Sequence, residues 1–444
     1  MRDGLGGAGG PRVIVVGAGM AGLVAARALA ERGASVVVLE GRDRVGGRVF
    51  SRKADGASVE LGAEFVHGRP PELWALLDEA GLQTTERDGT VLRAGFDGQV
   101  VEDDPQDGAM FSVLEELRDY KGPDVGFAEY VKGKALPAEE RAAVVGYVEG
   151  FNAADAQRIG VHGLAAQQAA EDAIEGERVW HVRGGYGQLA DYLAAKVREL
   201  GAEIRLGETM RELEWGPGRV RVTTRSRGVY TAEKCVLTLP LGVLHRVNRG
   251  GAKIVPEPPA LEAARRLAMG GVVRFSMVFR RPWWEDAPVA VAREKLRQLS
   301  FMFTFGSLPP VWWTPHPEPG RAVLTGWVGG PRAAALAGQT AEQLAASACQ
   351  TLGRVFGMAE GVVWRELVSA HAHDWSGDSC SLGAYSYVPA GAMDAPRLMC
   401  EPAEGTVFFA GEHTDVTGHW GTVHAAVRSG LRVAAQVLGE AGSF

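Results

Sequence analysis

The chain has 444 residues, 46% of them hydrophobic and 23% charged, a make-up that suits a globular protein long enough for two or three packed units. A net charge of −7 argues against nucleic acid as the main partner, and no apolar run approaches the roughly 20 residues that a membrane span needs. The four cysteines, Cys235, Cys349, Cys380 and Cys400, are scattered without a C-x-x-C pair and read as reduced thiols of a cytoplasmic protein.

Residues 1–11 lack the apolar core of a secretory signal and are expected to be a short disordered leader. Val13–Val16 then forms a β-branched run of the kind found in buried parallel strands. It meets Gly17-Ala18-Gly19-Met20-Ala21-Gly22, a G-x-G-x-x-G, followed by helical composition from Leu23 to Arg32 that stops at Gly33. A second β run, Ser35–Leu39, ends in Glu40. Each piece has a mechanical reason. Gly17 allows the tight turn, Gly19 admits a pyrophosphate against bare backbone, and Gly22 lets helix and strand close up. The helix start supplies free N–H groups for phosphates, and Glu40 accepts from ribose hydroxyls. These residues predict a dinucleotide site and leave NAD and FAD open.

Arg42 and the turn Gly46-Gly47-Arg48 come next, a second glycine turn with an arginine that NAD does not require. In VELGAEFVHG (59–68), Gly62 and Ala63 permit close backbone approach. Residues 69–180 read as helix-rich, with breaks near 95–108 and 120–126. A glycine turn and amphipathic helix fill 182–200, and strand-like pieces follow at 202–206, 219–224 and 229–239. Residues 251–375 mix β runs such as VVRFSMVF with the aromatic clusters RRPWW and PPVWWTP and a helix at 341–356. His371 and His373 lie two apart in a β-like run, where a solvated or core pair outweighs a metal. Near the end stands FFAGEHTDVTGHWGTVHAAVRSG (408–430), a strand running into Gly411-Glu412, three histidines and a resumed helix. The spacing of His413, His419 and His424 fits no metal-ligand pattern.

Taken together, the two glycine turns, VELGAEFVHG and FFAGEHT resemble the flavin amine oxidase family, which includes monoamine oxidases, polyamine oxidases and flavin-type histone lysine demethylases. The resemblance covers nearly the whole chain and leans toward the polyamine oxidase branch. It implies an α/β fold in which a Rossmann-type FAD-binding domain (12–68, 182–250 and 382–444) is interleaved with an α+β substrate-binding domain (69–181 and 251–381). It also implies non-covalent FAD, because Ala384 occupies the place of the cysteine that tethers the flavin in monoamine oxidases. The cofactor contacts so implied are Gly17, Gly19, Met20, Ala21, Gly22, Glu40, Arg42, Gly46, Gly47, Arg48, Gly62, Ala63, Glu64, Phe65, Met210, Trp375, Gly411, Glu412, Gly421, Thr422 and Val423. Glu412 is expected to accept from the ribityl chain, and the helix after it to aim its N-terminus at the flavin.

By the same resemblance the reaction moves a hydride from the carbon beside a neutral small-molecule amine to the flavin, and O2 takes the electrons. Tyr385 is the expected first aromatic wall, with Tyr387 on the same side of a strand. Thr422 stands where monoamine oxidases have the second wall. His67 is expected to hydrogen-bond or deprotonate the amine with a pKa near working pH, or else to be a satisfied turn histidine. Arg274 replaces a lysine that holds a water near the flavin. It keeps that water, binds a substrate carboxylate, marks a site with slower oxygen chemistry, or makes a structural salt bridge.

A polyamine-like or bulky secondary-metabolite amine is the leading substrate class. A flavin desaturase or dehydrogenase, an L-amino-acid oxidase and a non-catalytic flavoprotein are the alternatives, while Gly411-Glu412 disfavours an aromatic hydroxylase. No acidic ring for polycations is legible, and the sequence is silent on oligomeric state.

Overall fold

Val13 to Val16 leave no polar face, and the strand they form is covered on both sides. A computed structural model describes residues 10–95, 98–103, 109–304, 306–315, 321–359 and 361–440, with side chains from 112 in the third stretch. All but the last two residues of the expected leader lie outside them. Arg12–Val16 is the centre of a five-stranded sheet in the order Glu203–Arg205, Ser35–Leu39, Arg12–Val16, Lys234–Leu237, Val407–Phe409. Every neighbouring pair is parallel. Alternation splits the strand between two cores. Val13 and Val15 pack with the helices Met20–Glu31, Gly187–Glu199 and Val423–Leu438. Ile14 and Val16 face Leu213, Val222 and Ile254 of a second sheet. That four-stranded sheet holds Met210–Gly216, a strand the sequence reading missed because MRELEWG has helix-forming composition. The run expected at 229–239 divides at Glu233, its halves joining different sheets.

The second large sheet has seven strands, in the order Leu367–Ala372, Val272–Phe279, Ala322–Gly329, Val311–Trp313, Leu299–Thr304, Thr90–Ala94 and Val100–Glu102. Its pairs are antiparallel except that of Leu299–Thr304 with Thr90–Ala94. Helix Ala341–Val355, started by a capping box between Thr340 and Gln343, closes one face through Leu344, Ala348 and Leu352. The stretch read as helix-rich does hold the helices Phe127–Lys132, Ala138–Asn152 and Val161–Asp172 around one core. It also lends two strands to the seven-stranded sheet, which are too short and too exposed along one edge for periodicity to show. Strand Phe65–His67 pairs antiparallel with Val179–Val182. Among the described residues no helix is long and apolar enough to cross a membrane.

Candidate functional site

A cavity of about 1730 Å³ runs from the carboxyl ends of the parallel sheet to the seven-stranded sheet. Open α/β sheets place ligands at that end, and the volume exceeds the roughly 300–1,000 Å³ of an ordinary small-molecule site. Every residue predicted from sequence as a cofactor contact or catalytic group lines it, with the exception of Gly22. Gly22 works in the backbone instead: a Cβ there would stand 1.9 Å from the Gly17 carbonyl oxygen.

At the nucleotide end the two glycine turns lie against each other. Gly46 N donates to Ala18 O at 2.8 Å, and Gly17, at φ +112°, donates to Leu39 O at 2.8 Å. A Cβ on Gly19 would meet nothing closer than Gly47 Cα at 3.9 Å, so the loop keeps an open cradle that only bare backbone leaves. Glu40 is buried and spends part of its carboxylate on the loop itself, accepting from Ala18 N at 2.7 Å and Arg42 N at 2.9 Å. Arg42 pairs with Asp378 at 3.0 Å and lies 5.8 Å from the Trp375 ring. Burial opposes ionisation of Asp378, but His373, at 2.9 Å, and Arg42 hold its carboxyl far below the usual range. Asp378 escaped the sequence reading because nothing local marks it.

Arg48 and Glu412 join the two ends of the chain. Arg48 Nη1 donates to Glu412 Oε1 and to Ala384 O, each at 2.8 Å. Glu412 also accepts from Ser386 Oγ at 2.5 Å and Gly421 N at 2.9 Å. Burial resists its charge, yet Arg48, His413 and the hydroxyl keep the carboxyl below its ordinary pKa. The sequence reading assigned Glu412 to the ribityl chain; its oxygens already hold three protein donors, so it is first a tie between segments. Thr422 likewise has a structural task. It is the N-cap of helix Val423–Leu438, accepting from Ala425 N at 3.2 Å and donating to His419 O at 2.7 Å. Its place in the cavity wall remains, but its hydroxyl is occupied.

The other end is aromatic. Tyr385 donates to Phe151 O at 2.6 Å and stacks on Trp327 at 6.4 Å between centroids. Trp313 lies 5.8 Å from Trp327 and 5.4 Å from Phe65, and Phe151 lies 6.4 Å from His67. Trp313 and Trp327 supply walls that sequence reasoning found missing. Their signal was present in PPVWWTP and in the alternation of TGWVGG, but no spacing told which ring faces inward. Tyr387 does not share a strand face with Tyr385, since the strand is only Ser386–Tyr387 and Tyr387 packs into the helical core.

His67 lies within the cavity wall, where burial lowers its pKa to about 4. The expectation of a pKa near working pH is therefore corrected: at neutral pH the ring is uncharged. Of its four readings, Arg274 makes the structural salt bridge. It is buried, donates Nη2 to Glu64 at 2.6 Å and Nη1 to the Gly62 carbonyl, and faces Trp313. Glu64 further accepts from Trp313 Nε1 at 3.0 Å and faces His181 Nδ1 at 3.3 Å. Burial works against its ionisation, but Arg274 and His181 outweigh it and hold the carboxyl low.

Among the described residues no group of three or more His, Cys, Asp or Glu side chains is placed to hold a metal. His371 bonds to Ser369, and His373 to Asp378. His419 Nε2 meets the Ala170 carbonyl at 2.9 Å and so carries the hydrogen there. His413 is fully buried with neither ring nitrogen paired, and burial lowers its pKa to about 4. Between pH 6.5 and 4 the unfolded chain binds the proton that folded His413 refuses, so stability falls as pH drops through that window, by roughly 3 kcal/mol. His413→Phe should remove that part of the acid loss, read from denaturation midpoints at pH 7 and pH 4.5. An unchanged slope would show that this ring does not report the window.

With this geometry in place, the chain matches the family model "Flavin containing amine oxidoreductase" over residues 20–132 and 107–438. It is 28% identical over 454 residues to lysine-specific histone demethylase 1 homolog 2 of Oryza sativa subsp. japonica, a match spanning 96% of this chain and 57% of that protein. The chain spans little more than half the length of the demethylase homologues it matches. It is 29% identical to polyamine oxidase 1 of Oryza sativa subsp. japonica, over 96% of this chain and 97% of that one. The solved structure of wild-type putrescine oxidase bound to putrescine superposes with a TM-score of 0.80 at 23% identity, over 97% of this chain and 99% of that chain, a likeness of fold.

Proposed function

Because the chain belongs to the family of flavin-containing amine oxidoreductases, we propose that it binds FAD without a covalent bond and oxidises the C–N bond of an amine, with O2 as the electron acceptor and imine or aldehyde and hydrogen peroxide as products. The observation that carries the reading is one continuous cavity that begins at the Gly19 cradle and ends in a chamber walled by Tyr385, Trp327, Trp313 and His67. Ala384 offers no thiol for a tether. Bound there, the flavin supplies a two-electron acceptor.

The chain's own residues do the rest. Gly17, Gly19, Gly46, Gly47 and the start of helix Met20–Glu31 would hold the diphosphate, with Arg48 beside it. Helix Val423–Leu438 brings a positive dipole end to the wall at Thr422. The aromatic rings exclude water and orient the carbon that loses hydrogen. His67, neutral at working pH, offers its bare ring nitrogen to an amine N–H and adds no charge that would repel an ammonium. Glu139, Glu140, Glu171, Asp172 and Glu177, from helices Ala138–Asn152 and Val161–Asp172 and the loop beyond, line the outer cavity. Burial raises the Glu171 carboxyl to about 7. The exposed acids among them concentrate ammonium groups at an entrance and support a cationic amine as substrate, which no spacing in the sequence disclosed. Four unpaired thiols suit a cytoplasmic setting.

The test is anaerobic bleaching of the flavin by spermine, spermidine, monoamines and amino acids, followed by peroxide release in air. Bleaching by no amine in the panel defeats the proposal. With the best amine, Tyr385→Ala should slow bleaching by about tenfold or more, through lost orientation. Tyr385→Phe, which keeps the ring and loses only the bond to Phe151 O, should stay within about threefold.

A further inference from the structure

Arg87 follows strand Thr84–Glu86 and stands in the cavity wall, partly open to the cavity. Its guanidinium lies 4.5 Å from the Phe301 ring centroid and donates to the carbonyls of Thr314 and Ser300. Nη1 is 3.3 Å from His181 Nε2. An arginine only donates, so Nε2 accepts there and Nδ1 carries the His181 hydrogen toward Glu64. Nε of Arg87 has no partner, and among the described residues no carboxylate forms an ion pair with this guanidinium. The acid that reaches it electrostatically is Glu64, already bound to Arg274 at 2.6 Å. Two cations therefore act on Glu64, and among the described residues Arg87 has no ion-pair partner of its own. Burial lowers the Arg87 pKa only to about 10, so the charge persists.

A cation enclosed in this way gains from an anion of its own. We propose that Arg87 is an anion subsite of the chamber, taking a carboxylate carried on an apolar or aromatic body, so that the amine oxidised here also bears a carboxylate. The proposal rests on the amine-oxidation reading above and names its substrate class. Phe65, Phe301 and Trp313 give the apolar body its contacts. The acids of the outer cavity steer the ammonium of such a molecule to the mouth, and within the chamber Arg87 holds the carboxylate while the amine meets His67 and the aromatic walls. Arg274 does not compete for this role, because it is already ion-paired with Glu64 at 2.6 Å and is 2% exposed.

Calorimetric titration of the FAD-loaded protein with benzoate, and with benzamide as the uncharged probe of the same shape, decides the matter. Benzoate should bind at least about tenfold more tightly than benzamide, and Arg87→Gln should weaken benzoate on the order of a hundredfold while leaving benzamide unchanged. Arg87→Lys should fall between. Equal binding of the two probes by the unaltered protein overturns the subsite even if the glutamine variant fails to fold, and so does benzoate binding that survives in Arg87→Gln. Turnover is not needed for this measurement. A protein that binds benzoate through Arg87 yet bleaches with no amine sinks the oxidase reading alone.

Discussion

Arg274→Met should destabilise the protein by about 3–5 kcal/mol, and adding Glu64→Gln should restore much of the loss. The single change removes the guanidinium that lies 2.6 Å from a carboxylate buried beneath the cavity. Trp313 and His181 remain beside it, and Arg87 acts on it from a distance, but no guanidinium then touches the carboxylate. An unpaired carboxylate there must be desolvated without compensation, or must take up a proton and change the hydrogen bonds around it. The double variant removes both charges and leaves a neutral amide facing an apolar chain of similar length. Arg274→Lys should lie between, since an ammonium keeps the charge but cannot reach Glu64 and the Gly62 carbonyl with a planar fork. Thermal midpoints of the unaltered chain, Arg274→Met, Glu64→Gln and the double variant form a double-mutant cycle. An Arg274→Met midpoint equal to that of the unaltered chain would mean that the pair contributes nothing to the folded state. The same cycle bears on chemistry, because Gly62 and Glu64 line the cavity and any drift in their backbone moves its wall.

What could be seen in the sequence follows how far apart the cooperating residues are. The dinucleotide loop was legible because strand, glycines, helix and Glu40 occupy one short stretch and each has a backbone reason to be there. Gly22 illustrates this, since its need for a bare Cα is met by Gly17, five residues away. Glu412 was found as a feature of the second flavin segment, but its partner Arg48 is 364 positions distant, and no local pattern announces a pair at that range. Arg274 shows the same limit: four readings were open to it, and the partner that makes it a salt bridge, Glu64, is 210 positions away. Asp378 and Arg87 were invisible for this reason too. The aromatic walls failed differently. Trp313 was noticed as part of a cluster and Trp327 was not noticed, because side-chain direction on adjacent strands depends on register, and register across the seven-stranded sheet is a tertiary fact. The His67 pKa was misjudged because an imidazole next to a glycine reads as solvated, whereas the surrounding wall excludes water from it.

Gly19→Val should give a folded but colourless protein, whereas Gly22→Ala should weaken fold and colour together. At position 19 the backbone has φ −74° and ψ 179°, extended geometry that valine adopts freely. Within the protein the new Cβ meets only Gly47 Cα at 3.9 Å, so no neighbour has to move. Replacing glycine at this N-cap costs about 1 kcal/mol or less. The branched methyls enter the cradle itself, where the diphosphate would approach bare backbone, so affinity for the nucleotide is lost while the apoprotein melts within a few degrees of the unaltered one. At position 22 the added methyl would stand 1.9 Å from Gly17 O, backbone against backbone, and helix Met20–Glu31 must shift off the sheet. Overpacking of that kind costs about 1–3 kcal/mol and opens the same loop from behind. Flavin content per chain, read from absorbance after denaturation, separates the two effects from the melting curves. Full flavin content in Gly19→Val would show that this loop does not carry the diphosphate, and the assignment of every contact built outward from it would fall with that result.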